Sequence, residues 1–408
     1  MNTPLEDQVH DALHRRVDPL QRAPFDVTDV RRRARRIQRG RAAAAGVAVA
    51  AVLAVAVPIG LAATGPAQRT DVPPATQSPT TQSPTTRSPA PVVVSGTVMV
   101  DPSSAETLAQ TPVPLLDVDA PSLISPDGAT DLPGPFAVLT PYLDGWVGVQ
   151  MDEGAGTLRF LDADGAVQDA GSPTGGLVGS PDGTRVAWSE YTGSQWEVVV
   201  ADPSGSTEPV RTTFPPAPLE HRVEPVGFVA GDEVVVRTFD DSVETKTYVV
   251  RGGRPVEMTA LLQAESASAA TGLVAGLSRL TADGSCYGAM NGAGTPVWET
   301  CEHSLGAFSR SGAYVVGTDP EADGYGSPTL SVLDGSTGEE IVTFEAALPR
   351  RTVGGFYSQV AWEGDEALVV RLFRGEEYVM MRLGLDGTVR RIDLDSAGAS
   401  GLTVAEPW

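Results

Sequence analysis

Two stretches far apart in the chain are near copies of each other. Gly231-Asp232-Glu233 runs into Val-Val-Val-Arg237-Thr-Phe239, and Gly364-Asp365-Glu366 runs into Ala-Leu-Val-Val-Arg371-Leu-Phe373. They begin 133 residues apart, three steps of about 44. Each is a tight turn opening into a short apolar strand. The same unit recurs at Ser180-Pro181-Asp182-Gly183, which leads into Val186-Ala187-Trp188. A second strand then closes on Asp202-Pro203-Ser204-Gly205. Ser125-Pro126-Asp127-Gly128 repeats the turn, and Phe308-Ser309-Arg310-Ser311-Gly312 repeats it loosely. A unit of this length with several short strands cannot bury both its faces alone and must stack on its neighbours. The expected fold is therefore all-β, a six- to seven-bladed β-propeller. Turn signals at Asp127, Asp182, Asp232, Asp283, Gly312 and Asp365 mark six blades. Residues 92–120 supply a seventh, or a strand that closes the ring. The step from Asp283 to Gly312 is only about 29 residues and demands tight loops.

Everything before residue 92 has a different character. Residues 42–63 are apolar apart from glycines and Pro58, with no charge between Arg41 and Arg69. At about 1.5 Å of rise per residue, such a run crosses the hydrocarbon core of a bilayer as one helix. Arg31, Arg32, Arg33, Arg35, Arg36, Arg39 and Arg41 precede it without an intervening acid. That cluster predicts a cytosolic N-terminus and suits anionic headgroups. The run is longer than a signal-peptide core and its leader longer than a basic n-region, so an uncleaved anchor is expected. Residues 65–91 are Pro, Thr, Ser and Gln, with a pentapeptide repeated nearly three times, a composition that reads as an extended stalk. The expected order is a cytosolic arginine-rich leader with a short helix (1–41), a transmembrane helix (42–64), a stalk (65–91) and an extracytoplasmic propeller (92–408). His10 and His14 sit at zinc-motif spacing. Asp11 is too short for the usual general base and no third ligand follows, so they read as surface histidines.

The net charge of −23 is unevenly divided, since the first 41 residues carry ten arginines against six acids. A large acidic surface argues against nucleic acid as the partner of the distal domain and keeps an exposed domain soluble. Cys286 and Cys301 are the two cysteines. Outside the cytoplasm they form a disulfide that staples two strands of one blade, the alternative being two buried free thiols. With only His303 nearby they fall short of a zinc set.

The SPDG turn, the strand ending in Ala187-Trp188 and the Val-Val-Val-Ala201-Asp202 strand resemble the PD40 (TolB-like, WD40-like) propeller repeat. The layout as a whole is similar to that of single-pass membrane proteins of actinobacteria, and one lysine, Lys246, against 28 arginines fits a GC-rich genome. The resemblance implies a protein- or ligand-binding surface and transfers no catalytic residues. No GxSxG elbow and no phosphate loop is present. Asp162–Asp164 and Asp319–Asp323 lack the full run of calcium ligands and read as turns. No catalytic, cofactor-binding or metal residue is assigned. The expected function is a membrane-anchored scaffold that binds an envelope protein, polymer or ligand. The alternative is a transmembrane sensor coupled to a cytosolic partner such as a sigma factor, and after it an extracytoplasmic enzyme with an acidic channel.

Overall fold

The computed structural model describes residues 93–151, 156–239, 245–282, 284–322, 324–349, 352–394 and 401–406. The leader with Arg31 to Arg41, the 42–64 segment and the 65–91 stretch lie outside the described residues, as do Asp283 and Asp323. Among the described residues no helix is long and apolar enough to cross a membrane.

The chain enters through β1 (Gly96–Val100) and β2 (Glu106–Leu108), then lays down β3 (Leu115–Asp117), β4 (Ser122–Ser125) and β5 (Gly128–Asp131). Six four-stranded meanders follow. Blade 2 is β6 (Phe136–Tyr142), β7 (Gly145–Gln150), β8 (Gly156–Leu161) and β9 (Val167–Thr174). Blade 3 is β10 (Leu177–Gly179), β11 (Val186–Tyr191), β12 (Gln195–Ala201) and β13 (Val210–Pro216). Blade 4 is β14 (Val223–Ala230), β15 (Glu233–Thr238), β16 (Lys246–Arg251) and β17 (Arg254–Glu257). Blade 5 is β18 (Gln263–Ser268), β19 (Leu273–Thr281), β20 (Gly284–Asn291) and β21 (Pro296–Thr300). Blade 6 is β22 (Ser304–Phe308), β23 (Tyr314–Thr318), β24 (Thr329–Asp334) and β25 (Glu340–Ala346). Blade 7 is β26 (Gly354–Glu363), β27 (Ala367–Arg374), β28 (Glu377–Gly384) and β29 (Val389–Ile392). Last comes β30 (Leu402–Val404), which pairs antiparallel with β3 and becomes the inner strand of blade 1.

The core is divided among the blade interfaces. Seven hydrophobic clusters each join two consecutive blades, and the set closes on itself. Leu115, Ile124 and Leu402 of blade 1 pack with Val369 and Met380 of blade 7, while Leu116 and Leu123 pack with Phe136 and Leu139 of blade 2. This geometry explains the uninterrupted apolar runs. Alternate residues of a strand face opposite ways: Val234 and Val236 pack toward blade 3, and Val235 packs toward blade 5. A strand covered on both faces has no polar side, so β15 reads Val-Val-Val.

The blade count is therefore seven. Blade 2 escapes the turn survey because its first hairpin is Leu143-Asp144-Gly145, with Leu143 at φ 52, rather than an SPDG motif. Residues 92–120 do not supply the seventh blade: their β3 belongs to blade 1, which Asp127 already marks and which the chain's last strand, β30, completes. The preceding segment also adds a fifth, parallel strand to two other blades, β1 on β25 and β2 on β29. The short step after Asp283 has a different cause from tight loops, because Asp283 falls in the β19–β20 connection. The first hairpin of blade 5 is at Thr271-Gly272.

Candidate binding face

In every blade the first and third strands run one way and the second and fourth run the other. Hairpins joining first to second and third to fourth strands share one face, here the turn face. Connections between blades, and between second and third strands, share the opposite loop face. The inner strands of successive blades touch around the ring.

Several turn-face carboxylates close their own turns, whereas Asp232 and Asp365 reach a neighbouring blade, at Arg185 (2.6 Å) and the Ser311 N–H (3.0 Å). Asp182 accepts from the Ser180 and Thr184 hydroxyls and the Thr184 N–H, which hold its carboxyl down at about 2. Asp334 accepts from Ser336 and Thr337 and Asp386 from Thr388. These hydrogen bonds keep both carboxyls below the usual carboxylate range. Asp162 accepts from the N–H groups of Asp164 and Ala166 and from Gln168. Its oxygens are thus committed to closing a turn. Glu406 on this face differs. Burial pushes its carboxyl up, against a hydrogen bond with Thr140, and its Oε1 has no hydrogen-bond partner among the described residues.

On the loop face, blades 4 and 5 form an ionic sandwich. Arg237, near the end of β15, reaches Glu224 of its own inner strand at 2.8 Å and Glu265 of the next at 2.6 Å. It also donates to the Ala264 carbonyl at 3.2 Å, and Phe239 covers its guanidinium at 4.9 Å. Burial raises the Glu265 carboxyl, Arg237 opposes that rise, and the Glu224 charge adds to it. Burial alone would lower Arg237, but the two carboxylates outweigh it and keep the guanidinium charged. On the other side of blade 4 the approach requires glycine: a Cβ on Gly175, just before β10 of blade 3, would lie 2.2 Å from the Val223 carbonyl.

Blade 7 carries the counterpart. Arg371, at the equivalent place in β27, lies over the rings of Tyr357 and Tyr378 at 4.6 and 4.9 Å, the two rings themselves being 5.9 Å apart. Its Nη1 approaches the Leu402 carbonyl of blade 1 at 3.5 Å. Tyr378 continues to Phe373 at 4.9 Å, and Phe373 stacks with Tyr325 from the β23–β24 loop at 5.9 Å. Tyr325 is 52% exposed. Beside this row, Thr403 of β30 donates to Gln359 of β26 at 3.2 Å. The result is an aromatic shelf with a cation set into it, running out from the inner strands. A separate recess of about 280 Å³, lined by Met99, Asp101, Glu106, Val389 and Arg390, lies at the blade edge under β1 and β2.

Cys286 and Cys301 are joined in a disulfide with Cα atoms 4.1 Å apart, linking β20 to the end of β21 within blade 5. His303 lies with Nε2 3.4 Å from Glu340. Sequence reading assigned no role to Glu224, Arg237, Glu265, Tyr325, Tyr357, Arg371 or Tyr378. The signal available was the near-copy repeat itself, which holds Arg237 and Arg371 at one position.

The class this architecture defines is a seven-bladed β-propeller, and the assignment rests on sheet topology and the closed ring of cores. No protein-family model matches the chain, and neither does any curated protein. Among solved structures the chain is similar to the Myceliophteria thermophila Cps50 (Swd1) β-propeller domain, at 10% identity over 64% of this chain and 87% of that one, with TM-score 0.43. It is similar to the WD40 domain from Toxoplasma gondii coronin, at 15% identity over 64% and 70%, TM-score 0.41. For TolB from Acinetobacter baumannii the values are 13%, 58% and 59%, TM-score 0.38.

Proposed function

We propose that this propeller is the extracytoplasmic binding module of a membrane-anchored protein, presenting its loop face to a partner in the cell envelope. The observation that carries the reading is the shelf of Tyr325, Phe373, Tyr378 and Tyr357 around Arg371. Tyr325 is exposed, Tyr357 and Tyr378 are half-buried and Phe373 is buried; aromatic side chains beside an arginine supply large contact area at low entropic cost. The disulfide supports a location outside the reducing cytosol. The apolar segment 42–64, behind its arginines, supplies the anchor, and 65–91 the spacer.

A photo-crosslinking residue in place of Tyr325, in intact cells, is expected to capture an envelope component that the same residue in place of Ser336 on the turn face does not. Equal capture from both positions, or from neither, argues against the loop face. Anchoring is checked separately. A membrane-impermeant label should reach a tag after residue 408 in intact cells and fail to reach one before residue 1.

A further inference from the structure

We infer that the cystine of blade 5 is a thiol-exchange centre with a built-in direction, and that opening it releases the outer strand β21. This inference is independent of the binding proposal. The two sulfurs are not equivalent. Cys286 is 2% exposed within the sheet, whereas Cys301 lies at the exposed end of β21. Arg279 places Nη2 3.6 Å from Cys286 Sγ and 2.6 Å from Glu299 Oε2, and Glu299 also accepts from Ser278 Oγ at 2.7 Å. The guanidinium is thereby held beside one sulfur of the pair.

A thiolate arriving from solvent meets the exposed sulfur first. It forms a bond to Cys301 Sγ, the bond between the two protein sulfurs breaks, and its electron pair leaves on Cys286 Sγ. There the neighbouring guanidinium stabilises the new negative charge, and a better-stabilised leaving thiolate departs faster. With a dithiol reductant, the second thiolate attacks the reductant's own sulfur in the mixed disulfide and expels Cys301 as thiolate. The dithiol ends as its disulfide, two electrons have passed to the protein, and solvent sets the protonation of the freed thiols.

What the cystine restrains is β21. None of its five residues is buried, so the strand is held by its ladder with β20, by the disulfide, by the Glu299 contacts to Arg279 and Ser278 of β19, and by Trp298, whose Nε1 donates to the Gly335 carbonyl of blade 6 at 3.0 Å. Reduction removes the covalent hold on a strand that contributes no fully buried side chain.

The test uses the folded full-length chain, without denaturant, and glutathione as the monothiol probe with acid quenching and peptide mapping. The expected adduct is on Cys301, with a free thiol on Cys286. With dithiothreitol, Arg279→Gln should slow opening by about 3- to 10-fold, while Arg254→Gln on exposed β17 should leave the rate unchanged. Amides of β21 should gain hydrogen exchange in the reduced protein while those of β19 keep their protection. An adduct on Cys286, or wild-type rates in Arg279→Gln, overturns the direction. A cystine that opens only after unfolding overturns the centre itself. Unchanged exchange in β21 overturns the release.

Discussion

Blades 4 and 7 put an arginine at the same place and surround it with opposite chemistry. Arg237 and Arg371 both leave the second strand near the loop face, and both reach the inner-strand carbonyl of the next blade. Around Arg237 stand two carboxylates in a cleft that leaves its side chain only 19% exposed. Around Arg371 stand two half-buried tyrosine rings that lead through buried Phe373 to the exposed Tyr325. The repeat thus fixes where a guanidinium emerges, and residues from other strands decide what it does. In blade 4 it locks one blade to the next. In blade 7 it stiffens a surface.

The most severe way to break that contrast is Arg237→Met. It leaves Glu224 and Glu265 facing each other without a cation, and removing one partner of such a buried arrangement costs about 3–5 kcal/mol. Urea unfolding at pH 7 should show the loss. It should shrink toward pH 4, because protonation relieves the exposed repulsion. Next in size is loss of the cystine. Cys286→Ser with Cys301→Ser opens a loop of 15 residues, for which chain entropy gives about 3 kcal/mol, read as a lower thermal midpoint. Arg371→Met removes the cation over two rings and should cost only about 1 kcal/mol, while abolishing whatever crosslinking Tyr325 supports. If Arg371→Met destabilises as much as Arg237→Met, the division of labour between the two arginines fails.

The smallest effects belong to turn-face carboxylates, and their signs differ. Asp182 is depressed to about 2 by its hydroxyl and N–H donors. Its contribution is therefore full above the ordinary value of 3.8 and lost as pH falls through about 2. Asp182→Asn should narrow the stability difference between pH 5 and pH 2, by under 1 kcal/mol at this exposed turn. Glu406 behaves oppositely. Its carboxyl is raised by burial, so the folded state binds the extra proton. The stabilising neutral form is present below the ordinary value of 4.5 and is lost as pH rises through the raised one. Glu406→Gln should raise the thermal midpoint at neutral pH by about 2–4 °C and leave it unchanged in acid.

Local sequence determined more of the scaffold than of the site. Asp-Gly turns, apolar runs and a step near 44 residues are enough for stacked four-stranded blades, because turn chemistry and strand alternation act within a few residues. The same reading placed both cysteines in one blade. It missed blade 2, whose Leu143-Asp144-Gly145 hairpin lacks the SPDG form, and the blade it marked by Asp283 has its first hairpin earlier, at Thr271-Gly272.

Only the tertiary structure decided how the circle closes, with β30 entering blade 1 and β1 and β2 binding the edges of blades 6 and 7. It alone brought Glu224, Arg237 and Glu265 together, and set Tyr325 of one blade over Phe373 of another. The reason is physical. A repeat specifies its own turns and strand faces, but the neighbours of a side chain at a blade's end come from residues tens of positions away. Those become adjacent only when seven interfaces pack at once.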